Sequence, residues 1–369
     1  MRENFTSERF SIGIEEELMI VHGESFDLTN AIGQLLEGDI AGDVKPELME
    51  SVCEIATEPH ANTAEAGEEL RRLRTSIRRV ARTKGLDIGS AGTHPFALWE
   101  EQRIVAEPRY RELIEALRFV ARQELIFGLH VHVGLDDPDK AVYVANGMRV
   151  HVPVLLALSC NSPFWRGDTT GLQSTRSPVF RQFPRVGIPP AYRDWADYER
   201  RIRFMIDSGV MEDSTYLWYD VRVHPKFGTV EIRACDSQTR VEHTLGLAAL
   251  IQAMVRELAD HFDSGQPLSD YPWEMLDENK FLAARHGLDG ELVDLPKDRR
   301  VPTKDLARRL VDRLRGHAED LGSAGDLDAV DDPLARGNGA HRQRVVYEAN
   351  RDLHEVMAEI VAATAPDGA

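Results

Sequence analysis

The stretch LIFGLHVHVGL at residues 125–135 alternates with a period of two. Successive side chains of a β-strand point to opposite faces. Leu125, Phe127, Leu129, Val131, Val133 and Leu135 therefore share one face, an unbroken apolar stripe, while Ile126, Gly128, His130, His132 and Gly134 share the other. Two imidazoles side by side between glycines read either as the floor of a site or as half-exposed histidines on a solvent-facing sheet.

The same pattern recurs outward from this strand. In FSIGIEEELMIV (10–21), Ile12, Ile14, Leu18 and Ile20 form a packing face and Glu15 and Glu17 project from the other. Glu16 interrupts the packing face; a buried carboxylate needs a partner, so an arginine is expected beside it. In 50–58, Glu50, Glu54 and Glu58 are in phase, and Cys53, out of phase with Glu54, is expected to pack. A hairpin over 217–235, turning at Pro225–Gly228, sets Thr229, Glu231, Arg233 and Cys235 against Val230, Ile232 and Ala234. Asp220, Arg222 and His224 alternate likewise on its first strand.

If these four polar faces line one concavity, their carboxylates need cations to coexist. Oxygen donors with an imidazole select Mg²⁺, or Mn²⁺ in its place, over zinc, and magnesium so held keeps open positions that bridge to phosphate. Arginine suits a bidentate clamp on phosphate or carboxylate. Neither GxxxxGK[ST] nor GxGxxG occurs. The residues thus point to a metal–nucleotide site built on a sheet without a Walker loop.

Helices are predicted over 63–84, where Asn62 and Glu65 have capping-box spacing, from Pro108 to 123, from Pro138 behind the cap Asp137 to about 159, and over 193–208. Residues 161–192 lack periodicity, and so long a loop is usually functional. From Thr239, in a capping box with Glu242, the chain is nearly all helix. This order gives an α+β fold, a mainly antiparallel or mixed sheet with helices on its outer face and a helical C-terminal region. No linker divides it, so residues 1–369 are expected to form one catalytic domain, strand-rich over 1–238 and mostly helical over 239–369.

A net charge of −18 disfavours nucleic acid and anionic membranes as partners. Three scattered cysteines make neither a disulfide framework nor a zinc site. The start MRENFTSERF has no apolar signal region and no stretch is long enough to span a membrane, so a cytoplasmic location is expected.

The blocks GIEEEL (13–18), ELMESVCEIAT (47–57), GTHPFALW (92–99), FGLHVHVG (127–134), LALSCNSPFW (156–165), FGTVEIRACD (227–236), ENKFLAARHGL (278–288) and GNGAHRQR (337–344) occur in order over most of the chain. Together they resemble the glutamate–cysteine ligase type 2 family of carboxylate–amine ligases. The resemblance implies a glutamine-synthetase-like curved sheet whose acidic face holds Mg²⁺ beneath ATP. It implies metal ligation by Glu15, Glu17, Glu54, His130 and Glu231, with Arg233 facing substrate or phosphate. It also implies amide formation through an acyl phosphate, with γ-glutamylcysteine as the product that the family name suggests. Arg176 and Arg181 on the long loop, and Arg222 on the hairpin, are candidates to meet the phosphates. Most of Asn279, Arg285, Arg342 and Arg344 are expected to tie the helical region to the sheet. The partners expected are a small carboxylate and an amine, amino acids among them, and a homodimer suits an enzyme of this kind. The competing readings are a metal-dependent amidohydrolase, from the H-x-H at His130 and His132, and a non-catalytic nucleotide-binding protein on the same fold.

Overall fold

Seven strands make one sheet in the computed structural model, which describes residues 4–5 and 8–366; the N-terminal start lies partly outside them. The strands are β1 (Ile12–His22), β2 (Asp43–Pro46), β3 (Val52–Ala56), β4 (Leu86–Gly89), β5 (Gly128–Gly134), β6 (Val221–His224) and β7 (Thr229–Asp236). Their order is β6-β7-β5-β1-β3-β2, with β4 on the same edge of β1 as β5 but further along, and every pairing is antiparallel. The longer helices used below are α1 (Thr63–Thr83), α2 (Pro108–Leu117), α3 (Pro138–Met148), α4 (Val152–Ser159), α5 (Val241–Asp263), α6 (Trp273–His286), α7 (Gly339–Asn350) and α8 (Leu353–Thr364).

One face of the sheet is the main core. Ile14 and Leu18 of β1, Val131 of β5 and Ile232 of β7 join Leu70 and Ile77 of α1 and Leu245 and Ala249 of α5 in a single apolar cluster. Each of the leucine, isoleucine and valine side chains among these stabilises the fold by about 1.5–3 kcal/mol on burial. Glu16 lies on this face, and Arg74 of α1 meets it with two 2.8 Å hydrogen bonds, both side chains being fully buried. Thr244 of α5 donates a third bond, and the remaining Arg74 donors reach the carbonyls of Thr239, Thr364 and Gln238. The expected arginine is there, and it staples strand to helix.

The helices are not confined to that face. Beyond Glu17, Met19 and Val21 pack with Met357 and Ile360 of α8, so β4 lies between α1 and the C-terminal helix. A Cβ at Gly89 would come within 2.5 Å of Met357, which is why this strand carries a glycine there. The acidic stretch of β1 is thereby left as the uncovered part of the face.

Several boundaries differ from the sequence reading. The helix expected from Pro138 to 159 is two, α3 and α4, bent by 63° around Pro153, which has no N–H to carry the ladder on. The helix expected to 123 stops at Leu117, where Arg118 takes a left-handed φ of 52°. Asn62 and Asp137 cap as expected, accepting from the N–H of Glu65 and Lys140. The Thr239–Glu242 box does not form; Arg240 is the N-cap without a side-chain bond, and Thr239 Oγ1 instead accepts from Asn161. Strand β5 begins only at Gly128, so Leu125 and Phe127 pack in the α8 cluster, apart from Leu129, Val131 and Val133. A β-bulge between Ile232 and Cys235 likewise turns Cys235 out of phase with Arg233 and into the main core. Cys53 packs there as expected. Among the described residues no single helix is long and apolar enough to cross a membrane.

Candidate active site

Strand register brings the predicted polar residues into rows. Glu17 lies opposite Glu54, and Glu54 opposite Lys45. Glu15 lies opposite His130, Glu231 opposite His132, and Arg222 opposite Glu231. The rows open into a cavity of about 290 Å³ lined by Glu15, Glu17, Glu54, His130, Arg222 and Arg233, and by Arg109 and Tyr110 of α2. Glu231 is fully buried beneath it. A larger cavity, of about 500 Å³, lies among the helices, but its one carboxylate, Asp294, already pairs with Lys297 and Arg309. The concentration of ionisable groups is on the sheet.

At one corner, ligand atoms of Glu15, His132 and Glu231 lie within 4.8 Å of one another. Glu231 accepts from Arg222 Nε at 2.6 Å and from Arg233 Nη1. Burial raises its carboxyl, but the Arg222 and Arg233 charges outweigh that and hold it well below the usual carboxylate range. His132 Nε2 lies 3.4 Å from Glu15 and 3.8 Å from Glu231, and its Nδ1 meets Thr229 Oγ1 at 3.0 Å. Burial lowers the His132 pKa, yet the two carboxylates, Glu231 foremost, raise it above the ordinary value. Glu15 is held well below its range, since the histidines outweigh burial. This corner carries its own cations.

The other corner gathers Glu17, Glu47 and Glu54, again within 4.8 Å. Burial, then the charge of Glu47, pushes Glu17 up to about 7, although Glu17 accepts the N–H of Gly128 and feels Arg176 and Arg233. Burial, then Glu47, Glu15 and Glu17, holds Glu54 well above the usual range, with Lys45 offsetting only part. Burial also raises Glu47, which accepts the Leu48 N–H at 2.9 Å. Glu124, at the rim, is driven far up by burial and by Glu17 and Glu47. Such carboxylates coexist only by taking up protons or a cation.

His130 stands between the corners. Its Nδ1 is 3.3 Å from Glu15 and 3.4 Å from Arg233, and its Nε2 is 4.0 Å from Glu17. Burial, then the Arg233 charge, pushes it down to about 4, so the ring is neutral and able to accept. Arg176 and Phe180 line a small adjoining pocket that shares Glu17, Glu47, His130 and Arg233 with the cavity. Arg176 passes over Gly128, where a Cβ would lie 2.5 Å from Nη2, so only glycine allows that approach. One Arg176 Nη donates to the Arg233 carbonyl at 3.2 Å. The Nε atoms of Arg176 and Arg233 are buried without an acceptor. Two orphaned guanidinium donors beside unpaired carboxylates fit an anion held together with a metal.

Not every expected residue joins the site. Arg181 turns outward to an ion pair with Asp277 and lies over Trp273. Glu50 pairs with the exposed Arg103 and Glu58 is exposed, because β3 runs only from Val52 to Ala56 and strand parity ends with it. Asp220 is held by Lys280 of α6 at 2.7 Å, and that pair ties helix to sheet. Asn279 brackets the backbone of Val293, Arg342 pairs with Asp332, and Arg344 lies 3.8 Å from Asp289, none of them on the sheet. His224 lines the cavity with its ring stacked on Phe227, and burial pushes it down to about 4. Glu47, Glu124 and Arg109 escaped the strand reading, since each sits in a loop or helix outside any alternating run.

The chain matches the model of glutamate–cysteine ligase family 2 over residues 11–363. A relative from Rubrobacter xylanophilus, provisionally named glutamate–cysteine ligase 2-1, is 41% identical over 360 residues, covering 97% of this chain and 95% of that one. Another, from Sorangium cellulosum, provisionally named glutamate–cysteine ligase 2, is 40% identical over 364 residues, with 97% of each chain covered. Among solved structures, the glutamate–cysteine ligase of Francisella tularensis in complex with AMP superposes with a TM-score of 0.71 at 14% identity, covering 98% of this chain and 90% of that one. That likeness shows a shared fold. The family match agrees with the sheet of carboxylates and arginines and sets aside the amidohydrolase and non-catalytic readings: the chain belongs to glutamate–cysteine ligase family 2 and is a carboxylate–amine ligase.

Proposed function

We propose that the enzyme couples ATP cleavage to amide formation on this face, with L-glutamate as the carboxylate and L-cysteine as the amine. The observation that carries the reading is the Glu17–Glu47–Glu54 corner, whose carboxylates have no sufficient cation of their own and lie beside Arg233 and Arg176. That corner would hold one Mg²⁺, and Glu15, His132 and Glu231 a second. Bound Mg²⁺ supplies positive charge against the phosphate oxygens.

The residues divide the remaining work. Arg176 and Arg233, whose side chains line the site, would meet the transferring phosphoryl group, and Arg222 holds Glu231 in place. The bond between the γ-phosphorus and the ADP oxygen breaks as a substrate carboxylate oxygen bonds to phosphorus. The amine nitrogen then attacks the acyl carbon, phosphate leaves with the C–O electron pair, and the ammonium proton passes to solvent. Positioning and fixed charge do most of this work. Arg109 and Tyr110 line the cavity beside these groups. ADP and phosphate release that requires glutamate, cysteine and Mg²⁺ together supports the reading. Amide formation without ADP, or ADP release indifferent to the amine, overturns it.

A further inference from the structure

Strand β7 ends on Asp236, whose side chain is fully buried. Three donors from one loop meet its carboxylate. Oδ2 accepts from the Asn161 N–H at 2.8 Å and from the Ser162 hydroxyl at 2.7 Å, and Oδ1 accepts from the Ser174 hydroxyl at 2.8 Å. In the ladder between β7 and β5, Asp236 lies opposite Gly128, the residue over which Arg176 passes.

The carboxylate fixes which way the two hydroxyls turn. A serine has one O–H to donate; once that is given to Asp236, its oxygen is left to accept. Ser162 Oγ accepts the N–H of Arg176 at 3.2 Å, and Ser174 Oγ accepts that of Ser177 at 3.3 Å. These N–H groups open the short helix Arg176–Phe180, where a helix offers them no acceptor of its own. The rest of the loop is tied to neighbouring helices. The N–H groups of Gln173 and Ser174 both donate to the Ala284 carbonyl of α6, and Gln343 of α7 donates to the Asn161 side chain.

Arg176 is thereby set from both ends by β7. Its N–H is linked to Asp236 through Ser162, and its guanidinium donates to the carbonyl of Arg233 on the same strand. A displacement of about 1 Å in a group aimed at a reacting atom can cost about 100-fold in rate, so the backbone that carries such a group matters as much as the group.

We propose that Asp236 is a positioning residue of the ligase. By way of Ser162 and Ser174 it fixes the backbone from which Arg176 enters the pocket shared with Glu17 and Arg233, given the reading above that Arg176 meets the transferring phosphoryl group. Asp236 touches no substrate and acts only through that arginine.

A double-mutant cycle on the full chain tests this, with kcat read as ADP formation at saturating Mg-ATP, L-glutamate and L-cysteine. Arg176→Ala should lower kcat about 100-fold. Asp236→Asn, the same shape but with an amide turned towards donors, should lower kcat about tenfold or more while KM for glutamate stays within about threefold. Placed in Arg176→Ala, the same change should cost no more than about twofold further, because the group it works through is gone. Ser174→Ala, which removes one relay and leaves Ser162, should lower kcat about fivefold with the same dependence on Arg176, and it decides the matter if Asp236→Asn does not fold. Wild-type kcat in these variants overturns the positioning role. So does an equal loss in both backgrounds, the mark of a carboxylate that only supports the fold. Wild type that forms no ADP, or Arg176→Ala at the wild-type rate, defeats the reading of Arg176 and takes the positioning role with it.

Discussion

The two ends of the acidic face have the same number of ionisable ligands, three each, and opposite electrostatics. Around Glu231 the protein supplies its own counter-charges, Arg222, Arg233 and His132, and the carboxylates are held low. Around Glu54 the cations Lys45, Arg176 and Arg233 offset only part of the burial and mutual repulsion, and the carboxylates are held high. The first corner has counter-charges of its own as folded. The second is complete only with a proton or a cation, and a sheet face that keeps such a corner is built for a ligand.

The largest effect should come from breaking the complete corner. Glu231→Ala leaves Arg222 and Arg233 buried without their partner and should destabilise the enzyme by about 3–5 kcal/mol, read by chemical denaturation. Glu54→Gln is expected to do the reverse. Removing one like charge should stabilise the metal-free protein by at least about 1 kcal/mol, while ADP formation falls about 100-fold or more. If both substitutions destabilise alike, the contrast between the corners is wrong.

Protons separate the corners next. Glu17, raised from 4.5 to about 7, contributes stability that is fully present below 4.5 and lost as pH rises through about 7. Glu15 and Glu231, held low, contribute stability present above 4.5 and lost as pH falls towards their folded values. The metal-free protein should therefore melt at lower temperature at pH 7 than at pH 5, and Mg²⁺ should remove much of that difference. Magnesium binding at pH 6 should release protons, measurable by calorimetry in two buffers of different ionisation enthalpy. The smallest effect belongs to an arginine in neither corner: Arg181→Ala, which removes a half-exposed pair with Asp277, should leave kcat and KM within about twofold.

Three consecutive glutamates show what a sequence can disclose. Strand parity separates Glu15 and Glu17 from Glu16, and the expectation of an arginine beside Glu16 is met by Arg74. The same parity aligned Glu54, His130 and Glu231 on one face, because each sits inside a regular strand, and Arg233 joins them just where the bulge begins. It failed wherever the strand did. Glu50 and Glu58 lie beyond the ends of β3, Phe127 lies before β5 begins, and Cys235 follows a bulge. Glu47 and Glu124 reach the acidic corner from segments with no period, placed by the fold of the whole chain. His132, not His130, completes the Glu15–Glu231 group, a distinction that depends on ring orientation rather than on spacing.

Glu47 therefore offers the sharpest test, since nothing about its local sequence marks it as a ligand. Mn²⁺ titration, followed by the loss of the free-ion paramagnetic resonance signal, should show Glu47→Gln weakening the tightest site by about tenfold or more, with Glu50→Gln matching the wild type. Wild-type Mn²⁺ affinity in Glu47→Gln would contradict the assignment of the Glu17–Glu47–Glu54 corner as the metal seat.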